Sequence, residues 1–199
     1  MSEITTILPT SRAIRSHILN EQSEDGFLSN YLTIGEFLQR ALRVDGYHRV
    51  DEDTRTLLLL EAADFKNFTT LNIERNFFTF TQNASYLFRF FEELSGELVE
   101  IESLECADTY GDYEEHITIL QELYVRYKAL CEEKKILDPV FLPQQYKLNE
   151  SYLRSLGEVE LYALGYLTNF EMEVLLSCAD IIPLSLRSSA NRFNTKLTK

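Results

Sequence analysis

The sequence predicts an α/β protein in which a parallel sheet is interrupted by a large helical insertion. Residues 1–50 alternate strand-like and helix-like segments, a pattern typical of βα units. Helical periodicity then dominates residues 51–156, and the α/β alternation returns from residue 157. We therefore predict that 1–50 and 157–199 form one domain and that 51–156 form a helical insertion subdomain.

The first α/β piece contains two short apolar runs, each followed by a segment with helical spacing. Ser11 and Thr33 are of residue types that cap helix N-termini, and each stands where a helix would begin. The predicted elements are a strand at 4–8, a helix at 12–19, a strand at 27–32 and a helix from Thr33 through Leu42.

Three helices are predicted in the insertion. Asp51 caps the first, and aromatic and aliphatic residues recur at spacings of three and four in the second, at Phe77, Phe80, Ala84, Leu87, Phe91 and Leu94. The third runs from about Tyr110 to Lys134. Aromatic stripes of this kind can stack nucleic-acid bases, but at helical spacing they are typical of a packed core, which is the interpretation we favour.

Prolines at 139 and 143 break the helical pattern. A short helix is predicted at 150–156, a strand at 159–164, a helix from Thr168 through Cys178, and a last strand at 181–186. We expect the strands at 4–8, 159–164 and 181–186 to lie side by side in one parallel sheet. Residues 51–156 are expected to be almost all helix.

Composition places the chain among soluble globular proteins, with 45% hydrophobic and 26% charged residues. No apolar run is long enough for a bilayer, and the N-terminal sequence lacks a secretory pattern, so we expect a cytoplasmic protein. The three cysteines are far apart, which favours free thiols over disulfides or zinc. The three histidines are equally scattered and mark no catalytic triad.

The net charge of −13 is unevenly distributed. Eleven acidic residues and no Lys or Arg lie between Phe90 and Val125, a stretch that would repel a phosphate backbone. Within it Asp108, Asp112 and Glu115 share a helix face. This face can be read as solvated surface, as a partner-docking surface or as a metal cluster; the first is favoured because no second ligand-bearing element is evident.

The sequence lacks the parts of an ATPase site. A P-loop needs glycines and a lysine between a strand and a helix, but the first strand–loop–helix reads ILPTSRAIRSHIL. A magnesium-binding strand would end in acids, where Leu164, Gly165 and Tyr166 stand instead. We therefore expect no catalytic residues, no metal and no cofactor in this chain.

Several segments together resemble the N-terminal region of AddB subunits of bacterial AddAB helicase–nucleases, which are RecBCD-like, and most closely the divergent epsilonproteobacterial type with degenerate ATPase motifs. They are LPTSRAIR (8–15), YLTIGEFLQRAL (31–42), DEDTRTLLLLEA (51–62), ASYLFRFFEELSGE (84–97), DTYGDYEEHITILQELYVRY (108–127) and LGYLTNFEMEVLL (164–176). The resemblance extends from about residue 4 to 186, and it rests on the order and spacing of the segments.

The resemblance implies a RecA-like sheet with the helical insertion that helicases of this superfamily carry. It also implies an AddA-like partner subunit, which would supply the ATPase, and a role in resecting DNA double-strand ends. Nothing in the 199 residues resembles the nuclease domain of such proteins, so we expect the chain to be one portion of a longer protein.

The candidate DNA contacts follow the first strand or lie near the C-terminus. Hydroxyls, helix-start N–H groups and cations suit a phosphate, and the candidates are Thr10, Ser11, Arg12, Arg15, Arg187 and Arg192. The charge predicts weak DNA binding for this chain alone. Two alternatives remain: an acidic interaction scaffold with no nucleic-acid role, and an enzyme with dispersed catalytic residues.

Overall fold

A computed structural model describes residues 4–21, 30–106, 114–163 and 165–188. The strands are β1 (Ile4–Leu8), β2 (Asn30–Thr33), β3 (Leu42–Arg43), β4 (His48–Arg49), β5 (Ile136–Leu137), β6 (Lys147–Leu148), β7 (Glu158–Ala163) and β8 (Leu184–Ser188). The α-helices are α1 (Ser11–Glu21), α2 (Ile34–Ala41), α3 (Glu52–Ala62), α4 (Phe77–Gly96), α5 (Glu114–Glu133), α6 (Glu150–Ser155) and α7 (Asn169–Ala179). Short 3-10 helices occupy Lys66–Leu71, Ile101–Cys106 and Pro139–Gln144.

The chain divides into two compact units. One consists of Met1–Arg43 with Lys147–Lys199, and the other of Val44–Tyr146. The division predicted from the sequence has its boundaries at 50 and 157, so the observed helical unit begins and ends several residues earlier. We call the first the sheet unit and the second the helical unit.

A four-stranded sheet of order β2-β1-β7-β8 forms the centre of the sheet unit. Each neighbouring pair is parallel, which confirms that the first strand and the two late strands lie side by side. The last strand begins at Leu184 rather than 181. The amides of Ile181 and Ile182 both donate to the Cys178 carbonyl, at 2.9 and 3.0 Å, so they extend the end of α7 instead of the sheet.

Side chains alternate between the two faces of this sheet. One face carries Thr5, Ile7, Leu32, Val159, Leu161 and Ala163, all of them buried, and in β1 the side chains of Thr6 and Leu8 on the other face are buried as well. Thr5 is satisfied there, since its hydroxyl donates to the Leu156 carbonyl and accepts from Asn30. On the other face, the ring of His17 in α1 lies 5.7 Å from that of Tyr31 and 4.8 Å from that of Tyr162, so α1 covers this face.

Aromatic and aliphatic side chains from α3, α4 and α5 form the core of the helical unit. The predicted α4 stripe is confirmed as core at Phe80, Ala84, Leu87 and Phe91, while Phe77 is exposed. The unit is mostly helical but also contains β4 and β5, which pair in parallel. The third helix is described from Glu114, because residues 107–113 lie outside the described residues.

A buried polar network lies inside that helical core. Asp138 is fully buried and accepts from Arg55 Nε at 2.6 Å, from the Tyr127 hydroxyl at 2.6 Å and from the Val140 amide at 2.9 Å. Burial alone would lower the pKa of Arg55, but its hydrogen bonds to Asp138 and Glu92 outweigh this and raise it. Burial raises the pKa of Tyr127, and the Asp138 charge raises it further.

In the parts of the chain that the structure describes, every helix is too short or too polar to cross a lipid bilayer.

Candidate nucleic-acid interface

Among the residues that the structure describes, three helices of the sheet unit begin at the carboxyl edge of the parallel sheet, because each follows a strand. A threonine caps each of them: Thr10 for α1, Thr33 for α2 and Thr168 for α7. At α1 the Ala13 amide donates to Thr10 Oγ1 at 3.2 Å and the Ile14 amide to the Thr10 carbonyl at 3.1 Å. The cap predicted at Ser11 is therefore wrong by one residue, since Ser11 is already the first helical residue.

Two of these helix starts hold a carboxylate of their own. Glu36 accepts from the Thr33 amide at 2.8 Å, and Glu171 accepts from the Thr168 amide at 2.9 Å, which completes a capping box in each helix. The hydrogen bond from the Thr33 amide holds the pKa of Glu36 below its ordinary value. Both termini therefore already carry a negative group where an external anion would bind.

The start of α1 differs from the other two. Its first turn contains no acidic residue, and Thr10, Ser11 and Arg12 are exposed. A helix N-terminus offers unpaired N–H groups and a partial positive charge, both of which favour an anion. Of the three helix starts at this edge, only that of α1 lacks a carboxylate, so it is the one suited to a phosphate.

Two arginines extend this positive site along the outer side of α1. Arg12 and Arg15 are three positions apart, a spacing that makes them neighbours on a helix surface. Both are exposed, while His17 of the same helix faces the sheet. Neither arginine forms an ion pair with a described residue, so both guanidinium groups are available to a ligand.

Arg187 is placed differently from these two arginines. It lies in β8 opposite Tyr162 of β7, forms an ion pair with Glu160, and its guanidinium carbon lies 5.8 Å above the Tyr162 ring. The structure thus brings Arg187 to the sheet face covered by α1, but pairs it with a carboxylate. Arg192 lies outside the described residues.

The described residues at the carboxyl edge enclose one small cavity. A cavity of about 50 Å³ lies there, lined by Pro9, Ile34, Leu161, Tyr162, Ala163, Gly165, Tyr166, Leu167 and Glu171. This volume suits one or two water molecules. Pro9 has no N–H to offer a phosphate, and Glu171 is engaged in its capping box.

The acidic segment can be placed only in part. Asp108 and Asp112 lie outside the described residues, and Glu115 is exposed in the first turn of α5. Among the described residues, no group of His, Cys, Asp and Glu side chains is arranged to hold a metal ion.

Sequence reasoning missed two features of this interface. The first is the difference between the three helix starts, although the signal was present: Thr33 and Thr168 are each followed by Glu at the third position, and Thr10 is followed by Ala13. The second is the contact between Arg187 and Glu160, which depends on a strand register that spacing alone does not give.

No protein-family model matches this chain, and no curated protein matches it significantly. The resemblance to AddB therefore rests on the segments quoted above.

Proposed function

We propose that this chain is an ATPase-inactive, helicase-like module of a DNA end-resection helicase–nuclease, in which it contacts a DNA strand and a partner subunit. The observation that carries the proposal is the start of α1, which is the one without a carboxylate among the three described helix starts at the sheet edge. Arg12 and Arg15 lie beside it, and neither is ion-paired to a described residue. The RecA-like character of the sheet, the AddA-like partner and the cytoplasmic location belong to the same proposal and are supported by the resemblance.

The geometry favours a phosphate over a base as the contacted group. N–H groups of a helix start and guanidinium groups recognise phosphate oxygens without reading sequence. The proposed contact therefore positions a strand and does not select a sequence.

The magnitude of binding should be small. Two arginines on a chain of net charge −13 supply about two phosphate contacts, which gives a slope of about −1.4 for log affinity against log salt on single-stranded DNA. We expect a dissociation constant no tighter than about micromolar in low salt. Tighter binding would require the rest of the complex.

Fluorescence anisotropy of labelled single-stranded DNA tests the proposal. The Arg12→Ala, Arg15→Ala double variant should lose most of the binding and its salt dependence, while its fold is retained because alanine is a good helix former. The matched control is Arg89→Ala with Arg154→Ala, which removes two exposed arginines, each ion-paired to a glutamate four positions away. Equal loss in both double variants, or no binding by the unaltered chain at high micromolar protein, would refute the proposal.

A second function is favoured by the charge distribution. Eleven acids between Phe90 and Val125 suit an interaction scaffold with no nucleic-acid role. The anisotropy experiment distinguishes the two, since a scaffold would not bind DNA through α1.

A further inference from the structure

The helical unit contains a groove of about 680 Å³, a volume typical of ligand sites. It lies where the end of α4, the 3-10 helix Ile101–Cys106, α5 and the 3-10 helix Pro139–Gln144 meet. Its lining includes Phe91, Leu94, Ile101, Tyr124, Ala129 and Pro143. We call it the α4–α5 groove.

Large apolar side chains are exposed at this groove. Leu98 is 44% exposed, Val99 40% and Val125 58%, and all three belong to the lining. Single exposed apolar residues are ordinary, whereas several around one concave surface indicate an interaction site. The groove therefore presents apolar side chains both in its interior and along part of its edge.

The backbone at Leu98 adopts a conformation that is unfavourable for a residue with a side chain. Leu98 has φ of 56°, the left-handed region, which costs a non-glycine residue about 1 kcal/mol or more. Its amide donates to the Ser95 carbonyl at 3.2 Å, and the Val99 amide donates to the Leu94 carbonyl at 2.9 Å. These bonds form the Schellman motif that ends α4, in which glycine is the favoured residue at this position.

The rim of the groove is acidic. Glu100, Glu102 and Glu132 line it, all three are exposed, and none forms an ion pair with a described residue. Its one lysine, Lys128, donates to Gln144 at 2.7 Å. Burial raises the pKa of Tyr124, the hydrogen bond from Gln144 lowers it, and the Glu102 carboxylate raises it.

We infer that the α4–α5 groove docks a basic amphipathic helix of a partner protein. Apolar residues on one side of such a helix would fill the groove, as in other helix-in-groove complexes, and its Lys or Arg residues would meet Glu100, Glu102 and Glu132. DNA is excluded by like-charge repulsion, and a second copy of this acidic chain is disfavoured for the same reason. The inference concerns the helical unit and does not depend on the DNA proposal.

The test uses the full chain and a labelled helical peptide of about 18 residues, built of Leu at i, i+3, i+4 and i+7 with Lys elsewhere. Two comparison peptides carry the same composition in scrambled order, or Glu in place of every Lys. Anisotropy should show binding of the amphipathic basic peptide, at least tenfold weaker binding of the scrambled peptide and none of the acidic one. Equal binding of the acidic peptide, or no binding of the basic peptide at 100 µM (a concentration chosen as roughly a hundred times a micromolar constant), would overturn the inference.

Two sets of variants locate the peptide. Leu98→Gly with Val125→Ala removes two apolar side chains, yet it should raise the urea midpoint of unfolding, because glycine suits the left-handed backbone and alanine suits a helix. We expect a more stable protein that binds the peptide at least fivefold more weakly. Unchanged or tighter peptide binding in this variant would contradict the inference whatever its stability.

A second set of variants, which removes the charges of the glutamates, tests the acidic rim of the groove. We expect the affinity for the basic peptide to fall about tenfold, and its salt dependence to become smaller, when Glu100→Gln, Glu102→Gln and Glu132→Gln are combined. The control Glu52→Gln, Asp53→Asn and Glu133→Gln removes three charges from the helical unit at positions that do not line the groove. Equal weakening by both sets would show a general charge effect and refute the site. Sedimentation velocity tests whether a second copy of the chain occupies the groove. A dimer that Leu98→Gly with Val125→Ala abolishes would assign the groove to that second copy and refute the inference of a basic partner helix.

Discussion

Removal of the Asp138 carboxylate should destabilise the helical unit more than any change to an exposed ion pair. The carboxylate is fully buried and accepts four hydrogen bonds, two of them from Arg55. In Asp138→Ala the Tyr127 hydroxyl and the Val140 amide lose their buried acceptor, at about 1–3 kcal/mol each. Arg55 retains Glu92 at 2.7 Å, so its charge is only partly uncompensated.

The expected total is about 3–5 kcal/mol, the range for breaking a buried ion pair from one side. Since domains are stable by about 5–15 kcal/mol, the variant should unfold at a clearly lower urea concentration. The chain contains no tryptophan, so unfolding is best followed by far-UV circular dichroism. Glu92→Ala is the control, because Glu92 is 45% exposed and should contribute about 1 kcal/mol or less. If Asp138→Ala costs no more than Glu92→Ala, the network does not stabilise the core as argued.

Three further predictions concern protons, thiols and nucleotide. Because the pKa of Glu36 is lowered in the folded state, its contribution to stability is present above its ordinary pKa of 4.5 and lost as the pH falls through the folded value. Glu36→Ala should therefore be less stable than the unaltered chain at pH 7, and urea unfolding should show the difference shrinking below pH 4.5; a difference that grows in acid would contradict this. Burial raises the pKa of Cys131 to about 12 and that of Cys178 to about 11. In a Cys106→Ser variant, iodoacetamide at pH 8 should label the folded chain roughly a hundred-fold or more slowly than the urea-unfolded chain. Mass spectrometry measures the labelling, and fast labelling of the native chain would be inconsistent with buried thiols. Calorimetry should detect no binding of ATP with magnesium at millimolar concentration, and a micromolar dissociation constant would overturn the expectation drawn from Pro9–Arg12.

The parallel sheet and the helical insertion could be predicted because periodicity and capping residues agree along most of the chain. Thr33, Asp51 and Thr168 cap helices as predicted, since each stands at a change from strand or loop to helical spacing. The same signals do not define where every element ends. The strand predicted at 181–186 begins later, because an apolar isoleucine pair can equally continue the end of a helix.

The functional features depend on contacts that spacing does not encode. The sequence singles out the prolines that follow Asp138 but not Asp138 itself, because its partners Arg55 and Tyr127 lie in other elements. The α4–α5 groove was not predicted for the same reason. The residues next to Leu98 in the sequence do not indicate that a residue with a left-handed backbone will end α4.

The short ladder of β3 and β6 has a consequence for the order in which the chain folds. Arg43 lies directly opposite Lys147 in this antiparallel pair, so the two ends of the helical unit leave from adjacent residues. By contrast, Thr5 and Leu156 are hydrogen-bonded although 151 positions separate them.

Once residues 44–146 have folded and their ends lie side by side, the flexible chain that separates β1 from β7 is effectively about threefold shorter. This lowers the entropy cost of closing the sheet by about 1 kcal/mol. Pairing between strands that are far apart in sequence is slow, because the entropy of closing the loop is lost before the favourable strand contacts form. We therefore expect the helical unit to be the foldon that forms first. Pulse-labelling hydrogen exchange should find the amides of α5 protected before those of β1 and β7, so that folding proceeds from the middle of the sequence outward.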